Sequence, residues 1–299
     1  MKHITITGDL GSGKSAVAKI LSGKLNMEII STGAIQREIA MKYGMTTLEL
    51  NKYAENHPEI DEMIDNTIRN IGKQKKYYII DSRLAWFFIP DSFKIYLQVD
   101  VDIAADRITG DKRDTEKYDS HEKAVNDIKA RKKSENQRYL GLYGADCSNL
   151  DNFDLIIDTS KSTPEEIADL IISIYNKCCS GETEINKYWF SPLQLLPTQS
   201  VRGLNVDNLR DEIKSSFDIC HPIKIISHGG LCFIYDGHKR ASAAFFNHVS
   251  LVPVSFITEE TMPAQMCVSE YVNDHYKQSY VYDWEDMHQI NYLKYRQNE

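Results

Sequence analysis

Residues Gly8 to Ser15 read Gly-Asp-Leu-Gly-Ser-Gly-Lys-Ser, a complete G-x-x-x-x-G-K-S, and no other stretch constrains the chain as much. Before it, Ile4 and Ile6 alternate with the β-branched Thr5 and Thr7, the pattern of a short buried strand. After it, Val17, Ile20, Leu21 and Leu25 recur at helical spacing. Strand, glycine loop and helix thus follow in the order a phosphate cradle needs. Gly8, Gly11 and Gly13, with Ser12 between them, let the backbone curl so that its N–H groups face inward. The helix N-terminus adds partial positive charge at the same point. Lys14 is expected to reach the β- and γ-phosphates of a nucleotide such as ATP, and the Ser15 hydroxyl to ligate Mg²⁺. A plain glycine turn is the competing reading, and the flanking strand and helix disfavour it.

At 299 residues the chain suits two domains. Its net charge of −8 divides into −3 for residues 1–178 and −5 for residues 179–299. Neither part has the basic balance of a general nucleic-acid binder, so no DNA or RNA partner is expected. No run is long enough to span a membrane, and the N-terminus lacks the pattern of a leader. Six cysteines without a C-x-x-C pair do not make a disulfide scaffold; reduced thiols in a cytoplasm are expected.

The first part alternates strands and helices. Strands are predicted near 27–30, 77–81, 94–99 and 153–158, and helices over 34–43, from 46, from Pro58, over 102–108, 121–143 and 163–178. That order argues for a parallel sheet covered on both faces by helices. Arg131, Glu135 and Arg138 share one face of the long helix, since steps of four and seven residues return to within about 40° at about 100° per residue. Two guanidiniums spaced by a carboxylate can clamp a phosphoryl group. A solvated helix with an i,i+4 ion pair is the competing reading. The polar stretch Thr109 to Ser120 just before it favours a closing lid.

Residues 1–178 resemble the cytidylate kinase family, particularly its short archaeal-type branch. The matching stretches are ITITGDLGSGKS, IISTGAIQREIAMKYGM, NKYAENHPEIDEMID, IIDSRLAWF, RKKSENQRYLGLYGAD and FDLIIDTSKSTPEEIADLI. The resemblance implies a P-loop nucleoside monophosphate kinase that uses ATP and Mg²⁺. It implies that Arg37 and Arg83 hold the acceptor monophosphate and that Arg107 lies near the ATP phosphates. Arg131, Glu135 and Arg138 match the family's lid pattern R-x-x-x-(D/E)-x-x-R, and Asp61 and Asp65 fall in the acceptor-binding insert. Two places depart from the family. The strand end is Asp81-Ser82-Arg83 where relatives commonly have Glu-Gly-Arg, and Leu84 to Phe88 is bulkier than usual. Both are expected beside the acceptor pocket.

Residues 179–187 are polar and read as a linker. The second part, 185–299, is expected to hold a strand over 190–196, a helix over 206–216, strands over 223–227, 231–235 and 251–256, and a helix over 241–247. Asp236-Gly237-His238-Lys239-Arg240 sets a glycine and three potentially cationic side chains at a helix start. Taken alone, the pentapeptide is better read as a capped surface turn. Residues 190–257 resemble the ParB/sulfiredoxin-like fold, a small α/β domain, through LLPTQSVRGLNVDNLRDEIKSS, PIKII and YDGHKRASAAFFNHVSLVPVSFI. The resemblance implies that Asp236, Gly237, His238 and Arg240 handle a phosphate or nucleotide. The Tyr-rich stretch 258–299 reads as a packed or partner-facing tail, so a protein partner could dock on this domain.

The expected whole is an α/β protein with two domains, a P-loop kinase over 1–178 and a small ParB/sulfiredoxin-like domain over 185–299. It would move the γ-phosphoryl of ATP to CMP or a similar small-molecule nucleotide. A kinase of another small molecule with Asp81 as base, and a nucleotide-sensing regulator without turnover, remain the alternatives.

Overall fold

The structure is a computed structural model and describes residues 1–54, 57–110, 120–182, 185–262 and 266–292. The chain divides into two compact units, Met1–Ile185 and Asn186–Glu299.

The first unit opens with β1 (Ile4–Gly8), α1 (Lys14–Leu25), β2 (Glu28–Ser31), α2 (Thr32–Lys42), α3 (Thr47–Ala54) and α4 (Pro58–Gly72). It continues with β3 (Tyr78–Asp81), α5 (Ala85–Phe88), β4 (Phe93–Gln98), α6 (Val101–Gly110), α7 (His121–Tyr143), β5 (Leu155–Asp158) and α8 (Pro164–Ser180). Its strands pair in the order β2-β3-β1-β4-β5, and every pairing is parallel. Parallel strands inside such a sheet are buried on both faces, which is why β1, β3, β4 and β5 are rich in Ile and Leu, whereas the edge strand β2 is partly exposed. Ile4, Ile6, Ile79, Ile80, Ile95, Leu97, Leu155 and Ile157 are all fully buried. This order puts β1 in the middle, so the loop leaving its carboxyl end lies between the ends of β3 and β4.

Helices α2, α3 and α4 form the insert between β2 and β3. Ile60 and Ile64 of α4 pack with Ile39, Ala40 and Leu50, and Ile68 and Ile71 pack with Tyr78, Ile80 and Ile89. Small residues join the next two helices: Ala104 and Ala105 of α6 meet Ala124, Val125 and Ile128 of α7. Helix α8 starts in a capping box, with Thr163 accepting from the Glu166 N–H and the Glu166 carboxylate accepting from the Thr163 N–H. Farther along α8, Tyr175 accepts at its hydroxyl from Lys2 N–H (2.9 Å) and donates to Lys2 O (2.7 Å).

The second unit contains β6 (Tyr188–Phe190), β7 (Leu195–Leu196), α9 (Asp207–Glu212), β8 (Ile223–His228), β9 (Leu231–Asp236), α10 (His238–Phe246), β10 (Val252–Phe256), α11 (Val268–His275) and α12 (Gln278–His288). Its pairings run β6-β10-β8-β9-β7, with β10–β8 and β7–β9 parallel and the other two antiparallel. The expected strand over 190–196 is broken. Ser191 caps a 3₁₀ turn over Pro192–Gln194, because Pro192 has no N–H for a ladder. The expected helix 206–216 stops at Glu212, where Asn247 donates to the carbonyls of Arg210 and Ile213.

The tail is core as much as surface. Trp284 is fully buried beside His238, Phe245 and His288, and Tyr292 packs on Phe245. Residues 183–184 of the linker, 111–119 of the polar stretch 109–120 and the last seven residues, with Tyr295, lie outside the described residues. Among the described residues no helix is long and apolar enough to cross a membrane, and none of the six cysteines is in a disulfide.

Candidate active site

Gly8 ends β1 at φ 153°, and a Cβ there would sit 2.1 Å from Leu97 O, so only glycine lets the loop turn against β4. Asp9 N–H bonds Leu97 O at 2.9 Å, and Gly13, in the left-handed region at φ 80°, delivers the chain into α1. Ser12 is buried and donates from Oγ to Asp9 O at 2.8 Å. Lys14 folds back over the loop, and its Nζ donates to Gly8 O (3.0 Å) and Asp9 O (2.6 Å). Burial brings the Lys14 ammonium down to about 7, helped by the charge of Arg83 and opposed by Asp81, Asp9 and Glu135.

Ser15, the next residue, donates from Oγ to Asp81 Oδ2 at 3.0 Å, so the end of β3 sets a carboxylate on the serine hydroxyl. A hydroxyl and a carboxylate side by side suit Mg²⁺, which binds through few protein oxygens and keeps room for phosphates. Arg83, just past β3, donates from Nη1 to Gly8 O, and its Nε lies 3.2 Å from Glu135 Oε2. Glu135 also pairs with Arg131 Nε at 3.0 Å. The loop, the end of β3 and α7 therefore meet through Arg83, Glu135 and Arg131.

The remaining candidates are spread around this centre. Arg138 turns away from Glu135 and pairs with Asp61 of α4. The i,i+7 face therefore splits between two partners instead of presenting three side chains together. Asp65 is buried, and its hydrogen bond to Tyr143 works against the rise that burial imposes on its carboxyl. Arg107 donates to Gly11 O (3.2 Å), Thr159 O (2.7 Å) and Ser160 O (3.3 Å), tying the phosphate loop to the end of β5; burial lowers it and Asp158 opposes. Arg37 is exposed on α2 near Gly33, apart from these contacts. The bulky segment packs on α4 of the insert, with Ala85, Phe88 and Ile89 against Ile68 and Ile71. Trp86 is buried against Phe153 and donates to Arg83 O, and Phe88 meets Tyr143 edge-on under Arg69.

Sequence reasoning passed over three residues. Asp9, Tyr96 and Lys132 line a cavity of about 20 Å³ together with Arg83, Arg131 and Glu135. The signal was available for Lys132, which is three residues from Glu135 and so shares its side of the helix. For Tyr96 there was none, because a tyrosine inside a buried strand reads as core.

In the second unit, Gly237 takes φ 104° as N-cap of α10, which matches a glycine-led helix start. The expectation of three cations there needs correction. His238 is only 6% exposed and its Nε2 accepts from Thr198 N–H at 3.2 Å; burial lowers it to about 4 against the raising effect of Asp236, so it is neutral near pH 7. Arg240 donates from Nη1 to His221 O and to Pro222 O (2.9 Å), and from Nη2 to Asp236 Oδ2 (3.3 Å). Only Lys239 is exposed.

Residues 3–161 match the model of the cytidylate kinase-like family. The cytidylate kinase of Sulfurisphaera tokodaii is 42% identical over 175 residues, which are 58% of this chain and 94% of that protein. That of Sulfolobus acidocaldarius is 39% identical over 176 residues, 58% of this chain and 94% of that protein. The S-adenosylmethionine-dependent nucleotide dehydratase of Lacinutrix mariniflava is 37% identical over 175 residues, 58% of this chain but 36% of that protein.

Proposed function

The chain belongs to the cytidylate kinase-like family and is an ATP-dependent phosphotransferase, and we propose that it transfers the γ-phosphoryl of ATP to CMP or a closely similar nucleoside monophosphate. The observation that carries this reading is the meeting of Arg83, Glu135 and Arg131 beside the phosphate loop. A monophosphate acceptor already presents an anionic oxygen, so the reaction needs positioning and charge neutralisation rather than a base. Lys14 leaves its loop carbonyls for the β- and γ-phosphates. Arg131 approaches the transferring group from α7, and Arg37 and Arg83 take the acceptor phosphate. Arg138 and Asp61 close the insert against α7, and Glu135 orients the two arginines it holds. Arg107 braces the ATP side. Ser15, with Asp81, would hold Mg²⁺, which neutralises charge on the β- and γ-phosphates when bound.

The Ser15–Asp81 hydrogen bond also weighs against the alternative in which Asp81 serves as base to an alcohol. A carboxylate engaged with the metal-binding hydroxyl is poorly placed to take a proton from an acceptor. For the second unit, we propose a ParB/sulfiredoxin-like domain with a phosphate site at Asp236, Gly237, His238 and Arg240. Its support is the left-handed Gly237 at the start of α10 and the resemblance of its sequence. There the backbone N–H groups and Lys239 would do most of the binding, with His238 as a neutral donor or acceptor.

The test is turnover with a panel of nucleoside monophosphates and ATP·Mg²⁺, followed by coupled ADP release. CMP should be among the best acceptors. Turnover of an alcohol in preference to every monophosphate would reverse the assignment, and nucleotide binding without turnover would leave a sensing regulator.

A further inference from the structure

Asp9 is the sole acidic residue within the loop Gly8 to Ser15, and its position is at first sight wrong for a cradle that must hold a polyanion. Its carboxylate is thoroughly engaged. Oδ1 accepts from the Tyr96 hydroxyl at 2.7 Å and from Lys132 Nζ at 2.6 Å, and Oδ2 accepts from Val99 N–H at 3.2 Å. Tyr96 belongs to β4, Val99 follows it, and Lys132 comes from α7. The Asp9 side chain is 12% exposed, whereas that of Lys132 is 51% exposed. Burial and the nearby Asp9 push the Tyr96 phenol far up, so it stays a donor.

On α7, Glu135 lies about 60° around the axis from Lys132, and Tyr139 about 20°. Docking Lys132 on Asp9 therefore turns the same side of the helix, with Glu135, toward Arg83. An ordinary exposed ion pair contributes little. This one differs because its anion belongs to the phosphate loop and is largely shielded from water, held also by Tyr96 and Val99.

We propose that Lys132 is a positioning residue for phosphoryl transfer: it neutralises the loop's own carboxylate, Asp9, and by docking there sets the rotation of α7 that brings Glu135 and Arg131 to Arg83. The inference rests on the kinase reading for its second half only; charge neutralisation at Asp9 bears on nucleotide binding whatever the acceptor.

The full-length protein is compared with Lys132→Met, Asp9→Asn, the double variant and Lys132→Arg. Methionine keeps the apolar stem. Asparagine keeps the shape of Asp9 and can still accept from Val99 N–H while donating to the Tyr96 oxygen. Two quantities are read: the Kd of a non-hydrolysable ATP analogue by calorimetry, and kcat with CMP. Lys132→Met should weaken the analogue about tenfold and lower kcat, because it leaves the Asp9 charge, which Lys14 already feels, without its cation. The double variant should bind the analogue within about threefold of wild type while its kcat stays low, since the charge conflict is gone but the docking point is not restored. Lys132→Arg should recover both.

Recovery of binding in the double variant also excludes misfolding of Lys132→Met as the cause of its loss. Unchanged binding in Lys132→Met, or a double variant as weak as that single variant, would overturn the proposal. If wild type turns over no monophosphate, the kinase reading fails, while the binding series still decides whether Lys132 neutralises Asp9.

Discussion

The loops at 8–15 and 236–240 have one grammar and two wirings. Each follows a strand, turns on a left-handed glycine and enters a helix among basic side chains. In the first, Lys14 is held among the described residues by loop carbonyls and a hydroxyl, the partners that the proposed function has it exchange for phosphate oxygens. In the second, Arg240 is anchored to the carbonyls of His221 and Pro222, and His238 is sealed against Thr198. Burial lowers both Lys14 and His238, with different consequences. At about 7, Lys14 is ready to be recharged by an arriving polyanion, whereas at about 4 His238 stays neutral through the physiological range. A cation is functional when its present partners are weaker than its intended ligand, and sequence spacing does not report that.

The sharpest way to break this comparison is to remove the central cation from each loop. Lys14→Ala should lower kcat by at least about 10³ without unfolding the chain, since its ammonium serves charge rather than packing. Arg240→Ala should leave CMP turnover within about twofold of wild type. Steady-state assays on both variants check this, and equal losses would mean that the loops act in one reaction.

Acid distinguishes the second loop from the first. Because the His238 pKa is depressed on folding, the unfolded chain protonates first, and stability is lost as pH falls below about 6.5 toward the folded value of about 4. About 2 kcal/mol of the second unit's stability should disappear between pH 7 and 5. Hydrogen exchange of residues 231–246 in the full chain reads the loss, and His238→Gln should flatten it. His288, lowered in the same direction by burial, leaves a residual slope. Identical pH dependence in wild type and variant would show that His238 does not stay neutral.

A smaller effect separates the acceptor side from the phosphate loop. Arg37→Ala should raise the KM of the acceptor about tenfold with that of ATP unchanged, whereas Arg83→Ala should disturb both, because Arg83 also bonds Gly8 O. Changes confined to ATP in the Arg37 variant would reverse its assignment.

The smallest signal is a proton. With Lys14 at about 7, binding an ATP analogue at pH 8 should draw in close to one proton, as the phosphates raise its pKa. Calorimetry in two buffers of different ionisation enthalpy measures this, and a buffer-independent heat would mean that Lys14 is already charged.

What could be read in the sequence followed the range of the interaction. The β1–loop–α1 start and the helices over 121–143 and from 163 were legible because glycine spacing and helix-start residues such as Thr163-Pro164-Glu165-Glu166 are local signals. The Ser15–Asp81 bond and the Arg138–Asp61 pair were not, since each joins residues more than 60 positions apart and depends on strand order. The early end of α9 shows the same limit. Its residues continue a helical pattern, but the Asn247 side chain takes the carbonyls of Arg210 and Ile213. His238 was misjudged for a related reason. A histidine after a glycine reads as a cation until the depth of its burial is known.

One modest contact, the double hydrogen bond of Tyr175 with Lys2, has a consequence for how such a unit can be passed between genes. It brings the beginning and the end of the first unit together. A fold whose two ends meet can be cut out and spliced to other chains through a single narrow junction, without threading new backbone through its core. It should also tolerate circular permutation, with the native ends joined by a short Gly-Ser bridge and new ends opened at an exposed turn. The Tyr175–Lys2 contact thus makes the unit a portable cassette, able to gain neighbours without rebuilding its phosphate loop.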